Sequence, residues 1–444
     1  MTRRDSVRFW GRMQTTASVV TDEFSDLLNR LPAGLDLDRL ARDTKAIQRK
    51  RRIGDGASLL RLALARGPGG FSLRQTSGWV SLLGIFDLSN PGVHYRLKQA
   101  VAFLAALVGY LLAAKAPGAD LRWAGRTLRL ADGTCVSKPG SKGTDWRVHG
   151  VFDLGSGGFS HLELTDKHGA EALDRGAPLA GEIRIGDRNY ARVPVLKRFL
   201  AAGGGKSDFI VRLGWNALHL MTPRGKAFDL IEHLQHLPVG LRPHEVALQA
   251  AAGRGEAALP LRLIVQRKTP EAAEATRVAL RRAAIKQGRK LDPRSLIAAA
   301  FLIVVTSLPT RGYAAKDILA VYRLRWQIEL AFKRLKSLLH IDRLPTRTEQ
   351  GSRSWLYAHL IVALLCDDLS HEFLECSPED LLDAGYIPSL WAVQKMALLT
   401  LVSIVIGPLS LAALVAAGKS VHRHLANAPR KRKPHVRYPV RALF

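Results

Sequence analysis

Hydrophobic and polar residues follow two different patterns along this chain. In residues 1–116 the apolar positions recur at helical spacing, so we predict an all-helical region there. After residue 117, short apolar runs are bounded by glycine, proline and aspartate, which is typical of strands. Strands are predicted at residues 128–132, 146–154, 159–164, 181–187, 209–213, 259–266 and 296–307, and a helix at residues 193–202.

Two serines mark the beginning of short helices in the N-terminal region. Ser72 precedes one helix, Gly84 offers a turn, and Ser89 precedes the next helix. Two short helices joined by a glycine-containing turn predict either a helix-turn-helix that binds DNA or an ordinary helical hairpin. In the first case the side chains available to a DNA groove are Asn90, His94, Arg96 and Lys98.

A long uncharged run occupies residues 396–418, and its length would allow a membrane span. However, Gly407 and Pro408 divide it into two segments of ordinary buried-helix length, and Lys395 and Lys419 flank both ends equally. The N-terminus shows no apolar signal segment. We therefore expect a helical C-terminal region with a basic tail, rather than a membrane anchor.

The charge balance narrows the class of partner. The 444 residues include 66 Lys+Arg and 38 Asp+Glu, a formal charge of +28. Such an excess destabilises a compact fold unless a polyanion shares it, so nucleic acid is the expected partner, ahead of an anionic membrane surface. The three cysteines form no paired framework, and we expect a reducing, cytoplasmic location. Basic clusters lie at residues 3–4, 48–52 and 430–433.

The segment from Tyr322 to Lys336 is the most informative part of the chain. On a single α-helix, Tyr322, Arg325, Glu329 and Lys336 fall within about 60° of one another. A carboxylate can hold a divalent metal and neighbouring cations can bind phosphate oxygens, which suggests metal-dependent phosphoryl transfer on a nucleic acid. The alternative is a solvated ladder of ion pairs formed by Arg325, Glu329 and Lys333.

Two aspartates at predicted strand ends extend this pattern. Asp132 and Asp187 each close a predicted strand. Two divalent ions can clamp the attacking and leaving oxygens of an in-line displacement, and they need oxygen ligands that are held rigidly. Strand-terminal aspartates are often only turn residues. Together with Glu329, however, they form a candidate site for two Mg²⁺ or Mn²⁺ ions.

These residues resemble the motifs of DDE transposases of bacterial insertion sequences, in the insertion sequence four family. The family signature Tyr-x2-Arg-x3-Glu-x6-Lys matches residues 322–336 with every spacing intact. The first carboxylate block resembles residues 131–134, and the second resembles residues 186–190, with Asn189 in place of the usual glycine. Asparagine tolerates left-handed backbone angles, which would make this exchange a minor one. The likeness covers roughly residues 60–375.

The resemblance implies a fold of the α/β class. It consists of a ribonuclease-H-like catalytic core interrupted by a β-rich insertion, with helical N- and C-terminal regions. The core would comprise residues 117–205 and 296–375, and the insertion residues 206–295. Residues 1–116 would bind DNA, and residues 376–444 would form the helical C-terminal region with its basic tail.

The resemblance also implies a DNA transposase. Such an enzyme binds the terminal repeats of an insertion sequence, nicks DNA by two-metal hydrolysis and joins the 3′-OH end to target DNA. Asp132, Asp187 and Glu329 would be its catalytic residues and metal ligands. The alternative is a catalytically inactive, transposase-derived DNA-binding protein. The DNA-binding side chains would be Tyr322, Arg325, Trp326, Lys333, Lys336 and Arg188.

Further expectations concern partners and aromatic residues. We expect a homodimer in the synaptic complex, no membrane association, and a cytoplasmic protein that joins the nucleoid when bound to DNA. Trp326 would stack on a distorted or flipped terminal base, or pack in the interior at a helix edge, and Trp215 is a weaker stacking candidate. No nucleotide cofactor is expected, because residues 203–207 mimic a phosphate-binding loop but Leu200 replaces its required glycine.

Overall fold

A computed structural model describes residues 22–49, 53–115, 122–376, 389–409, 411–416 and 424–425. Residues 3–4, 50–52 and 430–433 of the predicted basic clusters lie outside these ranges. The chain divides into two compact units. One is built from residues up to 102 and from 396 onward, and the other from residues 103–395.

The first unit consists of helices. The second unit contains a sheet and has its own helices packed on it. Ser72 caps α4 in a capping box with Gln75, and Ser89 caps α5, as their positions in the sequence predict. Gly84 lies between these helices with φ +67°. Both predicted helices are confirmed, and their binding to DNA stays a prediction. The described helices are α1 Phe24–Asn29, α2 Leu37–Asp43, α3 Gly56–Arg66, α4 Leu73–Leu82, α5 Asn90–Gln99, α6 Val101–Ala114, α7 Val193–Ala202, α8 Leu230–His236, α9 Pro270–Lys286, α10 Pro293–Ala298, α11 Ala315–Arg323, α12 Trp326–Ser337, α13 Glu349–Glu375, α14 Leu390–Ile406 and α15 Leu411–Ala416.

The C-terminal end of α14 belongs to the first unit. The carbonyl of Val405 accepts a hydrogen bond from Arg61 Nε at 2.9 Å, and that of Ile406 accepts one from Trp79 Nε1 at 2.8 Å. Gly407, at φ +70°, ends the helix where the sequence predicts a division. In the part of the chain that the structure describes, no single helix is long and apolar enough to cross a membrane. The bent pair of α5 and α6 passes that test by length and composition alone.

One mixed sheet organises the second unit, which confirms the predicted α/β class. Its strand order is β4-β3-β2-β5-β6-β10-β9-β8-β7, with β1 paired to β2. The pairs β2–β5 and β5–β6 are parallel, and the other neighbours are antiparallel. The predicted domain boundaries stay a prediction. The strands are β1 Arg122–Trp123, β2 Arg126–Val136, β3 Trp146–Asp153, β4 Gly158–Asp166, β5 Ile183–Gly186, β6 Asp208–Arg212, β7 Leu220–Met221, β8 His244–Ala250, β9 Leu259–Arg267 and β10 Phe301–Thr306.

Helix α7 is the crossover between the parallel strands β5 and β6. Its apolar face, with Val195, Leu196 and Phe199, is buried in the main hydrophobic core. The helix has the bounds predicted from the sequence and ends at Gly203, in the loop that mimics a phosphate-binding motif. Since a crossover helix leaves the carboxyl ends of its two strands open, that edge of the sheet is available for a site.

Two predicted strands have wrong bounds. The strand predicted at residues 128–132 continues to Val136, because β2 keeps pairing with β3 after its pairing with β5 has ended. Asp132 therefore lies within a strand and not at its end. The strand predicted at residues 296–307 begins only at Phe301, because Asp292 caps α10 and fixes helical backbone through Ala298.

Candidate active site

Asp132 and Asp187 each lie just beyond the paired part of two neighbouring parallel strands. The last paired residues of β2 and β5 are Leu130 and Ile185. Asp132 follows two residues after Leu130, and Asp187 two residues after Ile185. The register therefore places the two aspartates at the same level, at the open edge of the sheet.

The environment of Asp132 opposes its negative charge. Its side chain is 20% exposed, and its Oδ1 accepts a hydrogen bond from the backbone N–H of Gly133 at 2.8 Å. Burial raises the pKa of Asp132 to about 6, and the charges of Glu171 and Glu329 add to this rise. The Gly133 N–H and the Arg325 guanidinium act in the opposite direction. A divalent cation would relieve this repulsion among carboxylates.

One carboxylate oxygen of Asp187 has no hydrogen-bond donor among the described residues. This oxygen, Oδ1, is buried. The nearest recorded cation is Arg212, whose Nη1 lies 4.0 Å from that oxygen. Buried polar atoms normally have a hydrogen-bond partner. A buried carboxylate oxygen without one is therefore suited to bind a hard cation.

The segment that carries Glu329 is not a single helix, contrary to the prediction. α11 ends at Arg323 and α12 begins at Trp326. The N–H groups of Leu324 and Arg325 bond to carbonyls three residues back, a tighter turn than that of an α-helix. This turn interrupts the α-helix between Tyr322 and Glu329, but Arg325 still contacts Glu329 across one turn.

Arg325 links the first and third candidate carboxylates. Its Nη2 donates to Glu329 Oε1 at 2.5 Å, and its Nη1 lies 3.8 Å from Asp132 Oδ2. Although burial opposes the positive charge, the Glu329 carboxylate raises the pKa of Arg325 above its usual value. The Arg325–Glu329 pair of the alternative ion-pair ladder is thus present, but Arg325 also lies near Asp132.

The three carboxylates do not form a compact metal-binding group by themselves. Among residues 22–49, 53–115, 122–376 and the short described C-terminal ranges, no three His, Cys, Asp or Glu side chains are placed to share an ion. Glu329 is 52% exposed and is held by Arg325. Asp132 and Asp187 nevertheless fit a hard divalent ion, because both are oxygen donors at the same level of neighbouring strands and Asp187 Oδ1 has no hydrogen-bond partner among the described residues.

Aromatic packing holds α12 against the sheet. Phe332, three residues after Glu329, contacts Phe159 with ring centroids 5.4 Å apart. Gly150 is the cross-strand partner of Asp132, and a Cβ atom there would lie 2.8 Å from Phe159 and 3.0 Å from Phe332. The absence of a side chain at Gly150 therefore sets how closely α12 approaches β2 and β3.

The predicted DNA-binding side chains differ in their exposure. Trp326 is 51% exposed, so the interior-packing alternative is wrong for it. Tyr322 is only 7% exposed. Lys333 and Arg188 are exposed and Lys336 is half-buried. Trp215 donates from Nε1 to Ser295 Oγ at 3.1 Å, and the guanidinium of Arg294 lies 4.5 Å from its ring centroid.

Sequence reasoning missed one acidic residue close to both aspartates. The Oε2 of Glu171 accepts a hydrogen bond from Asn189 Nδ2 at 2.9 Å, and its Oε1 lies 3.2 Å from the position of a Cβ on Gly133. Glu171 belongs to no motif and no regular element. Its role could not be read from its neighbours in the sequence.

Comparisons with known proteins show which family the chain belongs to. A family profile described as "Transposase DDE domain" matches residues 123–365. The transposase for insertion sequence element IS421 of Escherichia coli is 38% identical over 360 residues, covering 80% of this chain and 96% of the relative. The InsL chain assigned to element IS186A of Escherichia coli (strain K12) has the same identity and coverage over 359 residues.

The chain also has more distant matches. The transposase for element IS231F of Bacillus thuringiensis subsp. israelensis is 25% identical over 369 residues, covering 74% of this chain and 76% of that protein. The piggyBac transposase, in a cryo-EM structure of its synaptic complex with hairpin DNA, is 9% identical with a TM-score of 0.45; the match covers 90% of this chain and 83% of that one.

The family profile spans more than half of the chain, and the Escherichia coli relatives are matched over nearly their full length. The predicted family, and with it a metal-dependent enzyme that cuts and transfers DNA, is confirmed. The chain belongs to the DDE transposases of insertion sequences.

Proposed function

We propose that Asp132, Asp187 and Glu329 are the catalytic carboxylates of this transposase and the ligands of two Mg²⁺ ions, with Mn²⁺ as a substitute. The observation that carries this proposal is the pairing of β2 with β5, which sets Asp132 level with Asp187. The orphaned Oδ1 of Asp187 and the raised pKa of Asp132 support it, since both are relieved by a cation.

When bound, such ions activate water and stabilise the attacking and leaving oxygens of an in-line displacement. The chain itself provides the rigid platform for them. Asp132 is fixed within a central strand and Asp187 immediately follows another. The third carboxylate, Glu329, is kept close by the packing of Phe332 on β3 and β4. Strand and helix positions of this kind hold ligands more accurately than loops do.

DNA would approach the site over the surface around α12. Arg325 lies directly between Asp132 and Glu329, and its fork of donors suits a phosphate. Lys333 and Lys336 on α12, and Arg188 after Asp187, supply further positive charge. The exposed ring of Trp326 is free to stack on an unpaired base. Tyr322 would support Arg325 from its buried position.

We further propose that the sheet contains a ribonuclease-H-like core. The strand order β4-β3-β2-β5-β6, with three antiparallel strands followed by two parallel ones, supports this assignment. The β-rich insertion between Asp187 and Glu329 would contain β7, β8 and β9, which continue the same sheet through β10. It would begin after β6 rather than at residue 206, because β6 pairs with the core strand β5.

The larger assembly follows from the reaction. Joining two ends of one element requires two active sites, so we propose a homodimer in the synaptic complex. α4 and α5 would contribute a helix-turn-helix to end binding, supported by their caps and the turn at Gly84. A cytoplasmic protein that associates with the nucleoid would fit this role, and the proposed chemistry uses no nucleotide cofactor.

The substitution Glu329→Gln tests the proposed third ligand. We expect this variant to bind the terminal repeat with nearly native affinity, since the net change removes a negative charge, and to lose Mg²⁺-dependent nicking. The matched control is Glu349→Gln, because Glu349 forms the same kind of i,i+4 pair with an arginine, Arg353, on α13. Native cleavage by Glu329→Gln would remove this carboxylate from the mechanism. A native chain that binds the repeat but never nicks it would favour the inactive DNA-binding alternative.

A further inference from the structure

The loop at residues 169–176, between β4 and β5, is held in place by arginines. Arg147 donates to the carbonyl of Gly169 at 2.9 Å, and Arg192 donates to that of Glu171. The fully buried Arg184 donates from Nη1 to three carbonyls of the loop, at 2.8 to 2.9 Å; these belong to Leu173, Arg175 and Gly176. A loop with so many charged donors on its backbone has a fixed conformation.

This fixed loop delivers two side chains to the aspartate-bearing strands. Leu173 is fully buried, and its Cδ1 would lie 3.1 Å from a Cβ on Gly186, the residue before Asp187. Glu171 reaches between the strands. Its Oε1 lies against Gly133, the residue after Asp132, and its Oε2 accepts from Asn189, two residues after Asp187.

Asn189 does not use the left-handed backbone conformation that asparagine tolerates; it lies in the 3₁₀ turn Arg188–Tyr190 that follows Asp187. Its side chain instead makes a specific contact: the amide group of Asn189 donates a hydrogen bond to Glu171 at 2.9 Å. A glycine at this position could not make this bond.

We propose that the Glu171–Asn189 bond is a positioning device for the active site, with Glu171 and Asn189 as positioning residues. Through this bond, the rigid 169–176 loop holds the turn after Asp187 at a fixed distance from β2, and so fixes the separation of the two aspartate carboxylates. The proposal rests on the proposed function of Asp132 and Asp187. Partners behind the metal ligands commonly change metal affinity or activity by about 10- to 100-fold when removed.

The test compares Glu171→Ala, Asn189→Ala, the double variant and Glu171→Gln. Mn²⁺ affinity is measured by electron paramagnetic resonance on the protein bound to its own terminal-repeat duplex, and Mg²⁺-dependent nicking is followed in parallel. We expect each alanine variant to bind Mn²⁺ about 10- to 100-fold more weakly. The double variant should be no worse than either single one, because both remove the same bond. Glu171→Gln should remain close to native, because its amide oxygen still accepts from Asn189.

Two controls make the outcome specific. Asp174→Ala removes a side-chain pair of the same loop, the 2.7 Å contact with Arg198 on α7, while the Glu171–Asn189 bond stays in place; it should leave Mn²⁺ affinity unchanged. Repeat binding in the presence of a chelator should be native in all variants. Additive losses in the double variant, or Glu171→Gln as weak as Glu171→Ala, would overturn the proposal.

The same experiment separates this proposal from the site assignment. Asp132→Ala is measured alongside, and native Mn²⁺ affinity in that variant would mean that the proposed metal site itself is wrong. Loss of Mn²⁺ in Asp132→Ala, with native affinity in both Glu171→Ala and Asn189→Ala, would leave the metal site standing and refute the positioning role alone.

Discussion

The guanidinium of Arg325 donates to Glu329 at 2.5 Å across one turn at the beginning of α12. The same side chain lies 3.8 Å from Asp132, so it is placed to bring a DNA phosphate to the carboxylates. Arg325→Ala should therefore lower the log-log slope of repeat binding against salt by about 0.9 and abolish nicking. Arg325→Lys should restore part of the binding and none of the nicking, because an ammonium cannot bridge both carboxylates.

Arg323→Ala is the matched control for that prediction. Arg323 is exposed at the end of α11 and contacts Gln266 at 3.5 Å, away from the carboxylates. Its removal should leave nicking at the native rate. An unchanged salt slope in Arg325→Ala would show that this arginine only orients Glu329 and does not bind a phosphate.

The raised pKa of Asp132 predicts a pH-dependent effect on stability. Without metal, the folded chain holds this carboxylate with a pKa of about 6, against about 3.9 when unfolded. Ionisation therefore destabilises the folded state increasingly as pH rises from about 4 to about 6. Asp132→Asn removes that cost, and should stabilise the chain by about 1.5 kcal/mol at pH 5 and about 3 kcal/mol at pH 8.

Urea unfolding in a chelator, at both pH values, measures this difference. Added Mg²⁺ should reduce the difference in unfolding free energy between Asp132→Asn and the native chain at pH 8, since it would stabilise only the chain that retains Asp132. A gain from Asp132→Asn that is the same at pH 5 and pH 8 would contradict the raised pKa.

Gly150 permits the close approach of α12 to the sheet. In Gly150→Ala the new methyl group would meet Phe159 and Phe332 at 3.0 Å or less, so one of these rings must move. We expect a loss of stability of about 1–3 kcal/mol, together with weaker nicking, because Glu329 moves with Phe332. Gly143→Ala, in the β2–β3 connection, introduces its methyl group into open space and should be neutral in both thermal unfolding and nicking assays.

Breaking the buried ion pair between Arg184 and Glu182 should strongly destabilise the second unit. Arg184 and Glu182 are both fully buried and paired, and Arg184 also lies 5.0 Å from the Phe199 ring centroid. Arg184→Met would leave Glu182 partly unpaired and the 169–176 loop without its main anchor. We expect a loss of about 3–5 kcal/mol in urea unfolding. The exposed Arg198, replaced by alanine, should cost less than about 1 kcal/mol, and an equal loss from both variants would refute this ranking.

Local signals made part of this fold predictable. α7 is bounded by a proline near its first residue and by three glycines after its last, and its predicted bounds are those of the structure. Ser72 and Ser89 gave the starts of α4 and α5 for the same reason. By contrast, β2 extends past Asp132 only because β3 pairs with it, and no local pattern records a distant partner.

In the candidate site, too, some features could be predicted from local sequence and others could not. Its motif residues could be recognised from spacing, but the break between α11 and α12 could not, because Leu324 and Arg325 suit a continuous helix. Glu171 was missed because arginines outside its loop, Arg184 on β5 and Arg192 before α7, determine where the loop lies. The exposure of Trp326 likewise depends on how α12 packs on the sheet.

Strand cleavage of a duplex bearing the element's own terminal repeat, with Mg²⁺, is the most direct test of the proposed site. The native chain is compared with Asp132→Ala and with Glu349→Gln, whose exposed carboxylate pairs with Arg353 on α13. The proposed site predicts nicking at the repeat boundary by the native chain and by Glu349→Gln, and none by Asp132→Ala. Nicking by Asp132→Ala at the native rate would contradict it.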